Sequence, residues 1–326
     1  MSETNMIELS MMIEGQDGVN WAIWKRLVQD VETLGFPGLF RSDHYTNGRP
    51  PEKDSLEMVV SLAYLAGNST RIHFGPLVSP LSFREPTMLA RQAAQLDDLS
   101  GGRMLLGLGA GWQEREHTMF GHNLGSMKER MDRFEEGVEV VTKLLNSDEP
   151  VTFEGSYFQL REAILLPRPQ RKGGPRILIG GSGRQRTLPL VARYADQWNA
   201  VAPSIDEFRD MNGYLDDLLH RNGRQPGDLK RSIMTMAIFG RTREDLQARL
   251  DKPPFNNPAV EGKSLNEKID FWRDERHALV GNGEEIAAQV GEWAAAGAQE
   301  IMTQWFHLDD TEGLRQYAED VLPRLS

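Results

Sequence analysis

The sequence predicts a (β/α)8 barrel, a closed ring of parallel strands in which each strand is followed by a helix. Eight short apolar segments alternate with helical segments, which is typical of parallel strands joined by helical crossovers. The 326 residues suffice for a barrel of about 250 residues plus insertions. Glycine-rich turns follow the fourth and fifth strands, whereas an open doubly wound sheet would normally carry one after its first strand.

Each predicted strand is a short apolar run bounded by turn residues. The eight runs are residues 7–13, 38–41, 72–78, 104–108, 176–179, 197–201, 233–239 and 300–305. Residues 151–158 predict a small hairpin outside the barrel. Because no composition break divides the chain, we expect residues 1–326 to form one barrel domain.

The predicted helices follow from cap residues and from apolar residues at helical spacing. Asn20 is expected to cap the first helix, which ends at Gly35, and Asp54 to cap the second. Pro86 lies in the first turn of the third helix, where its missing N–H is harmless. Further helices are expected at residues 127–145, 205–219, 244–250, 284–296 and 314–322, with one more ending at residue 194.

A polar segment precedes the last βα unit. Residues 253–283 contain Pro253-Pro254 and few apolar positions in register, so we expect an inserted loop. Two interpretations are open, because long polar insertions vary freely. The loop could cover the barrel mouth as a lid, or it could have no role in chemistry.

Composition excludes several classes of function. The chain has no cysteine, which excludes disulfides, thiolate metal sites and cysteine nucleophiles. Its net charge of −11 argues against a nucleic-acid partner or an anionic membrane surface. No apolar run approaches the roughly 20 residues of a membrane span, and the first residues lack the features of a signal peptide. We therefore expect a cytoplasmic protein.

The carboxyl ends of barrel strands meet at one mouth, where barrel enzymes place their active sites. Mostly polar residues and glycines stand at or just after these ends in the sequence. They are Glu14 and Gln16 after the first strand, Asp43 and His44 after the second, Leu77, Val78 and Ser79 at the third, Gly109, Ala110, Gly111 and Trp112 at the fourth, Gly180, Gly181, Ser182 and Gly183 at the fifth, Trp198 and Asn199 at the sixth, and Gln304, Trp305 and His307 at the eighth.

The fourth strand runs into alternating glycines, Gly107, Gly109 and Gly111, followed by Trp112. Glycine lets another group approach the backbone closely and tolerates a positive φ. One interpretation is a floor beneath a flat, ring-shaped cofactor. The other is a tightly packed turn from strand to helix.

The fifth strand ends in Gly180-Gly181-Ser182-Gly183-Arg184 and then a helix. Free backbone N–H groups at a helix start, together with the helix dipole, make an anion site. Arg184 and Arg186 would add positive charge. The pattern favours a phosphate-binding loop, although a simple turn that begins a helix has the same sequence features.

His44, beside Asp43, is a candidate acid, base or hydrogen-bond donor. Histidine titrates near neutral pH, and a neighbouring carboxylate would fix its charge or its orientation. The alternative is a histidine in a surface loop.

The remaining patterns argue against hydrolytic and metal chemistry. No two histidines lie four apart on a helix with an acid between them, and no GxSxG elbow occurs, so we expect no metal. A glycine- and tryptophan-lined mouth with one phosphate loop suits a redox cofactor that combines a ring with a phosphate.

Three stretches resemble the luciferase-like flavin and deazaflavin oxidoreductases, namely residues 99–121 (LSGGRMLLGLGAGWQEREHTMFG), residues 177–199 (ILIGGSGRQRTLPLVARYADQWN) and Ser42-Asp43-His44. The third is similar to the motif of members that use the deazaflavin coenzyme F420. The start MIEGQ at residues 12–16 and FRSDHY at residues 40–45 are similar to one branch of F420-dependent oxidoreductases.

The resemblance implies a barrel that is usually dimeric, with the cofactor ring at the mouth and His44 near its reactive carbon. Gly109, Ala110 and Gly111 would line the ring. A non-proline cis peptide, by position Leu77–Val78, would brace the ring from behind. The residues of the fifth-strand turn, Gly180, Gly181, Ser182 and Gly183, would hold the phosphate.

One position departs from the family pattern. Where the sugar-phosphate dehydrogenases carry a proton-donating acid after the strand-four glycines, this chain has Trp112. That departure weakens a sugar-phosphate interpretation and leaves Glu14 or His44 as the proton donor.

We therefore predict an F420-dependent oxidoreductase of a small organic substrate, with His44, Asp43 and Glu14 as catalytic candidates. The cofactor candidates are Leu77, Val78, Gly109, Ala110, Gly111, Trp112, Gly180, Gly181, Ser182 and Gly183. An FMN-dependent monooxygenase that uses reduced flavin and oxygen, and a non-catalytic relative, are the alternatives. We expect a homodimer without a nucleic-acid or membrane partner.

Overall fold

Nine strand segments fill the eight positions of a closed parallel barrel in the computed structural model, which describes residues 7–325. The strands are Glu8–Ile13 (β1), Gly38–Arg41 (β2), His73–Pro76 (β3), Ser79–Pro80 (β4), Leu105–Gly109 (β5), Val151–Glu154 (β6), Gln159–Ala163 (β7), Arg176–Gly180 (β8), Gln197–Val201 (β9), Lys230–Phe239 (β10), Leu279–Gly281 (β11) and Glu300–Gln304 (β12).

The barrel follows the order β3–β2–β1–β12–β10–β9–β8–β5–β4. The consecutive segments β3 and β4 occupy one position, which closes the ring. Strand β4 pairs with β5, and a bridge joins Phe74 to Met104. The predicted (β/α)8 barrel is confirmed, and so are its eight strands.

Helices surround the barrel. They are Trp21–Leu34 (α1), Met58–Asn68 (α2), Pro86–Ser100 (α3), Glu114–Phe120 (α4), Met127–Asn146 (α5), Thr187–Tyr194 (α6), Ile205–Arg221 (α7), Arg243–Leu250 (α8), Leu265–Asp270 (α9), Gly283–Ala295 (α10) and Thr311–Val321 (α11). None of the helices within residues 7–325 combines the length and apolar character needed to cross a bilayer.

The register aligns the carboxyl ends of neighbouring strands. Met12 of β1 lies opposite both Phe40 of β2 and Gln304 of β12. Because these residues are level, the segments that follow the three strands start at the same end of the barrel. A small core fills the barrel interior, formed by Met12, Phe40, Leu77, Leu105, Leu178 and Met302.

The caps of α1 are those predicted, and the cap of α2 is not. The Asn20 side chain accepts a hydrogen bond from the Ile23 N–H, and Gly35 ends α1 with a φ of 93°. Asp54 does not cap α2, which begins only at Met58 with the Glu57 carboxylate accepting from the Val60 N–H. The chain around Asp54 is extended instead, because Ser55 forms a bridge with Val19.

The hairpin lies later than predicted. Its second strand, β7, begins at Gln159, because Gly155 donates to the Phe158 carbonyl and residues 155–158 form the turn.

The predicted loop at residues 253–283 is folded. It contains α9, a helical turn at Phe271–Glu275, and β11, which pairs with β10. Phe255, Val260 and Trp272 are buried in a satellite core against Ile238 of β10. The prediction of a loop is wrong because these apolar residues are widely spaced in a polar segment and bury against elements distant in sequence.

Candidate functional site

A cavity of about 720 Å3 lies at the carboxyl ends of the barrel strands. Each strand position contributes lining near its carboxyl end except β10, whose Met234 lies within the strand, level with Val201 at the end of β9. Met12 and Leu77 belong both to the interior core and to the lining, so the floor of the cavity is the top of that core. This is the mouth at which barrel enzymes build active sites.

The structure brings together most of the candidate residues from the sequence. Those that line the cavity are Glu14, His44, Leu77, Val78, Gly109, Ala110, Gly111, Trp112, Gly180 and Gly181. Asp43, Ser182 and Gly183 lie outside its lining. The Leu77–Val78 peptide is cis, as the resemblance implies.

His44 is hydrogen-bonded to a carboxylate that the sequence did not reveal. Its Nδ1 lies 2.8 Å from Oε1 of Glu116, whose other oxygen accepts from the Tyr45 N–H at 2.9 Å. Glu116 is buried, with 1% of its surface exposed. Within residues 7–325 the Nε2 atom of His44 has no partner, and the ring edge meets the Trp112 indole at 5.7 Å between centroids. One nitrogen is therefore anchored and the other is left for a ligand.

The pKa of His44 lies above its ordinary value. Burial of the ring is the largest influence and favours the neutral form. The hydrogen bond to Glu116 and the charges of Glu116, Glu14 and Asp43 favour the protonated form and together outweigh it. This pairing stabilises the fold fully below the unfolded-state pKa, and its contribution is lost as the pH rises through the raised folded-state pKa.

We expect Glu116→Gln to lower the pKa of His44, because burial remains while the charge of the carboxylate is removed. An NMR titration of the His44 ring resonances measures the change without any substrate. Glu114→Gln, at an exposed position of the same helix, is the matched control and should leave the pKa as it is. An unchanged value in Glu116→Gln would contradict the pairing.

Asp43 makes no hydrogen bond to His44, so the expectation that it orients the ring is wrong, although its charge does favour the protonated form of His44. Arg84 donates to both Asp43 oxygens, at 2.6 and 2.9 Å, and the Ser79 hydroxyl donates at 3.0 Å. Arg84 also pairs with Glu57 at 2.8 Å. Bidentate guanidinium–carboxylate geometry is strong and directional. Asp43 thus ties the end of β2 to β4.

Glu14 is held by two amides at the cavity wall. Gln304 donates to one oxygen at 2.5 Å and Gln16 to the other at 2.8 Å. The Ser42 hydroxyl in turn donates to the Gln16 carbonyl at 2.5 Å. Both carboxylate oxygens are therefore oriented by neutral donors, without a cation.

The glycines of β5 make room for the protein's own third strand. A Cβ at Gly107 would lie 2.1 Å from the Pro76 carbonyl oxygen, and one at Gly109 would lie 2.4 Å from Val78 Cγ2. On the other side, a Cβ at Gly180 would lie 3.1 Å from Val78 Cγ1. Tight packing therefore leaves no room for a ligand at the Gly107 backbone. Gly109 and Gly180 flank Val78 and still border the cavity.

The turn after β8 retains part of the predicted anion site. Gly180 and Gly181 line the cavity, and the exposed Ser182 and Gly183 continue from its edge. Within the described part of the chain, the N–H groups of Ser182 and Gly183 donate to no carbonyl or side chain. They remain available to an anion at this edge.

The two arginines near this turn are engaged elsewhere. Arg184 pairs with Asp210, and Arg186 donates to Asp132 and Glu135 on α5. The expectation that both add free positive charge to the turn is therefore wrong, and its binding capacity rests on backbone N–H groups.

Sequence reasoning missed Glu116 and the apolar wall of the cavity. Glu116 lies in a polar run that the sequence identifies only as a helix start, 72 residues from its partner. The sequence offers no local signal that separates Glu116 from its neighbour Glu114. The wall comprises Met12, Val201, Met234, Pro254 and Phe306, which resemble ordinary strand and loop residues in the sequence.

The chain matches a known protein family. Residues 10–300 match the luciferase-like monooxygenase family. The chain belongs to this family. The resemblance inferred from its motifs is confirmed, and with it the prediction of an oxidoreductase.

Relatives of this luciferase-like protein include both deazaflavin and flavin enzymes. It is 27% identical over 311 residues, or 90% of each chain, to an F420-dependent glucose-6-phosphate dehydrogenase of Kineococcus radiotolerans. It is 26% identical to 4-hydroxyprotoasukamycin monooxygenase of Streptomyces nodosus subsp. asukaensis, over 94% of this chain and 87% of the relative.

A solved structure supports the fold. An F420-dependent secondary alcohol dehydrogenase, in complex with an F420-acetone adduct, superposes with a TM-score of 0.81 at 17% identity and covers 98% of this chain and 99% of its own. At this identity the likeness concerns the barrel alone.

Proposed function

We propose that this luciferase-like protein is an F420-dependent oxidoreductase that transfers hydride between the deazaflavin and a small organic molecule. The observation that carries the proposal is His44, anchored by the buried Glu116 with its second nitrogen free at a glycine-bordered cavity. Curated relatives of similar length that are named as F420-dependent dehydrogenases support it.

The residues present fit a ring cofactor with a phosphate. A cavity of about 720 Å3 is within the range of cofactor sites, and Gly109, Gly111 and Gly180 keep part of its wall free of side chains. Leu77 and Val78 would contact the ring. The unpartnered N–H groups of the turn at residues 180–183 would receive the phosphate.

A bound deazaflavin would supply a two-electron hydride carrier. The chain's own part is to position the substrate oxygen and to manage its proton. His44 carries that proton on Nε2, since Nδ1 is engaged by Glu116. The raised pKa of His44 favours the protonated ring, and in that form the ring stabilises negative charge on the oxygen. Glu14, oriented by its two amides, lies in the same cavity as the second acid–base candidate.

The alternative is an FMN-dependent monooxygenase. The monooxygenase relative aligns with nearly the whole chain, and Trp112 stands where an acid would mark a sugar-phosphate dehydrogenase. Such an enzyme would consume oxygen and require a flavin reductase.

Parallel fluorescence titrations with F420 and with FMN test the proposal. We expect F420 to bind more tightly, and Gly181→Leu to weaken its affinity at least tenfold by placing a side chain at the phosphate turn. Gly101→Leu is the matched control, since Gly101 also has a positive φ but no atom within 4 Å of an added Cβ and lies outside the cavity lining. A preference for FMN would favour the monooxygenase, and binding of neither would refute both functions.

We also propose that residues 1–326 form a single domain and that the protein is a cytoplasmic homodimer. These proposals rest on the undivided composition, on the resemblance and on the charge and apolar patterns of the sequence.

A further inference from the structure

We propose that the substrate is an uncharged alcohol or carbonyl compound with an apolar body, and that anionic substrates, sugar phosphates included, are rejected. The proposal rests on the proposed function and narrows its substrate class. It is carried by two features of the cavity, the sign of its charges and its apolar wall.

The described residues that line the cavity include acids and one histidine but no lysine or arginine. The charged candidates are Glu14, Asp17, His44 and Glu116. The positive charge of His44 is matched by Glu116 at 2.8 Å, and Asp17 is matched by Lys53. Glu14 has only amide partners, so the remaining charge is negative.

Three arginines close to the mouth already have partners, acids for two of them and a backbone carbonyl for the third. Arg84 is bound by Asp43 and Glu57, as described above. Arg115 pairs with Glu52 and donates to the Asn47 carbonyl, while Arg130 donates to the Gly111 carbonyl at 3.1 Å. An anion beside Glu14 would meet a like charge in a partly desolvated site, with no lysine or arginine among the described lining residues to offset it. This penalty selects against anionic substrates.

The apolar wall suits the body of an uncharged substrate. Val201, Met234 and Phe306 come from β9, β10 and the segment after β12, and Met12 completes the wall from β1. Methionine side chains adapt to irregular apolar shapes. The wall binds by excluding water from apolar surface.

The insertion holds one side of this wall in place. Pro254 lines the cavity, and the next residue, Phe255, is buried against Trp272, Phe306 and His307. The polar segment therefore contributes a packed residue to the cavity wall.

The chemistry balances for this class. In oxidation, the hydride on the carbinol carbon passes to oxidised deazaflavin and the hydroxyl proton passes to the protein, which leaves a carbonyl. In reduction, hydride from reduced deazaflavin and a proton from the protein give the alcohol. His44 is the proton partner that faces the cavity, donating from its protonated ring in reduction and accepting at Nε2 of its neutral ring in oxidation. No co-reactant besides the deazaflavin is required.

Matched substrates that differ in charge test the proposal. With F420 binding first established by titration, we expect kcat/KM for 2-heptanol to exceed that for 6-hydroxyheptanoate at least 100-fold, and glucose 6-phosphate to give no turnover. Binding of 2-heptanone and of 6-oxoheptanoate, followed through the fluorescence of bound F420, gives the same comparison without turnover.

A charge variant makes the test specific. Val201→Lys places a cation at the apolar wall and should raise kcat/KM for 6-hydroxyheptanoate at least tenfold. Val60→Lys is the matched control, because both valines are 55% exposed and Val60 lies on α2 outside the cavity lining. Its substrate preference should not change.

The outcomes separate the two proposals. Failure of F420 to bind refutes the proposed function. If F420 binds but the anionic member of each pair is used or bound as well as the uncharged one, the proposed substrate class is wrong. The same holds if the uncharged member does not bind. In both cases the cofactor assignment stands.

Discussion

Replacing His44 by glutamine is expected to lower the single-turnover rate of carbonyl reduction by reduced F420 about 100-fold, the lower range for loss of a positioned general acid. A glutamine amide can still hydrogen-bond to Glu116, but it carries no proton that can be transferred and no positive charge. Stopped-flow absorbance of F420 at saturating cofactor measures the step directly.

The pH dependence of the same reaction gives a second readout. The protonated form of His44 is the donor, and its pKa is raised. The wild-type rate should therefore be highest below that pKa and fall as the pH rises through it, and His44→Gln should lose this alkaline decline. His122→Gln is the control, since His122 contacts Tyr45 at 3.2 Å outside the cavity lining. An unchanged rate in His44→Gln would remove His44 from the proposed chemistry.

Replacing Gly107 by alanine is expected to lower the free energy of unfolding by about 3 kcal/mol, the upper range for overpacking a core. The added Cβ would lie 2.1 Å from the Pro76 carbonyl oxygen, which is backbone and has no rotamer with which to yield. The close approach also holds from the other strand, because a Cβ at Gly75 would lie 1.8 Å from the Leu105 carbonyl oxygen. Urea denaturation followed by circular dichroism measures the loss.

Gly213→Ala is the control for the glycine-to-alanine change itself. Gly213 lies within α7 with open space on its side-chain face, since no atom lies within 4 Å of an added Cβ. Alanine there should stabilise the protein by about 0.5–1 kcal/mol, because it favours the helix and restricts the unfolded chain. Equal stability of Gly107→Ala and the wild type would show that the strands need not approach this closely.

The sequence by itself determined the barrel and the position of its site. Apolar runs such as residues 104–108 and caps such as Asn20 are local signals that hold wherever the segment packs. Once eight strands are parallel, the topology brings their carboxyl ends together. For that reason His44, Glu14 and Gly180 could be assigned to one mouth from the chain order alone.

Only the tertiary structure decided which partners these residues have. Asp43 is adjacent to His44 in the chain, yet it faces Arg84, while Glu116 reaches the histidine from 72 residues away. Gly107 suggests an opening for a ligand, yet it meets Pro76. Charge pairing and close packing depend on which elements become neighbours and on the direction of each side chain. That information is absent from local sequence patterns, because folding creates it when distant segments meet.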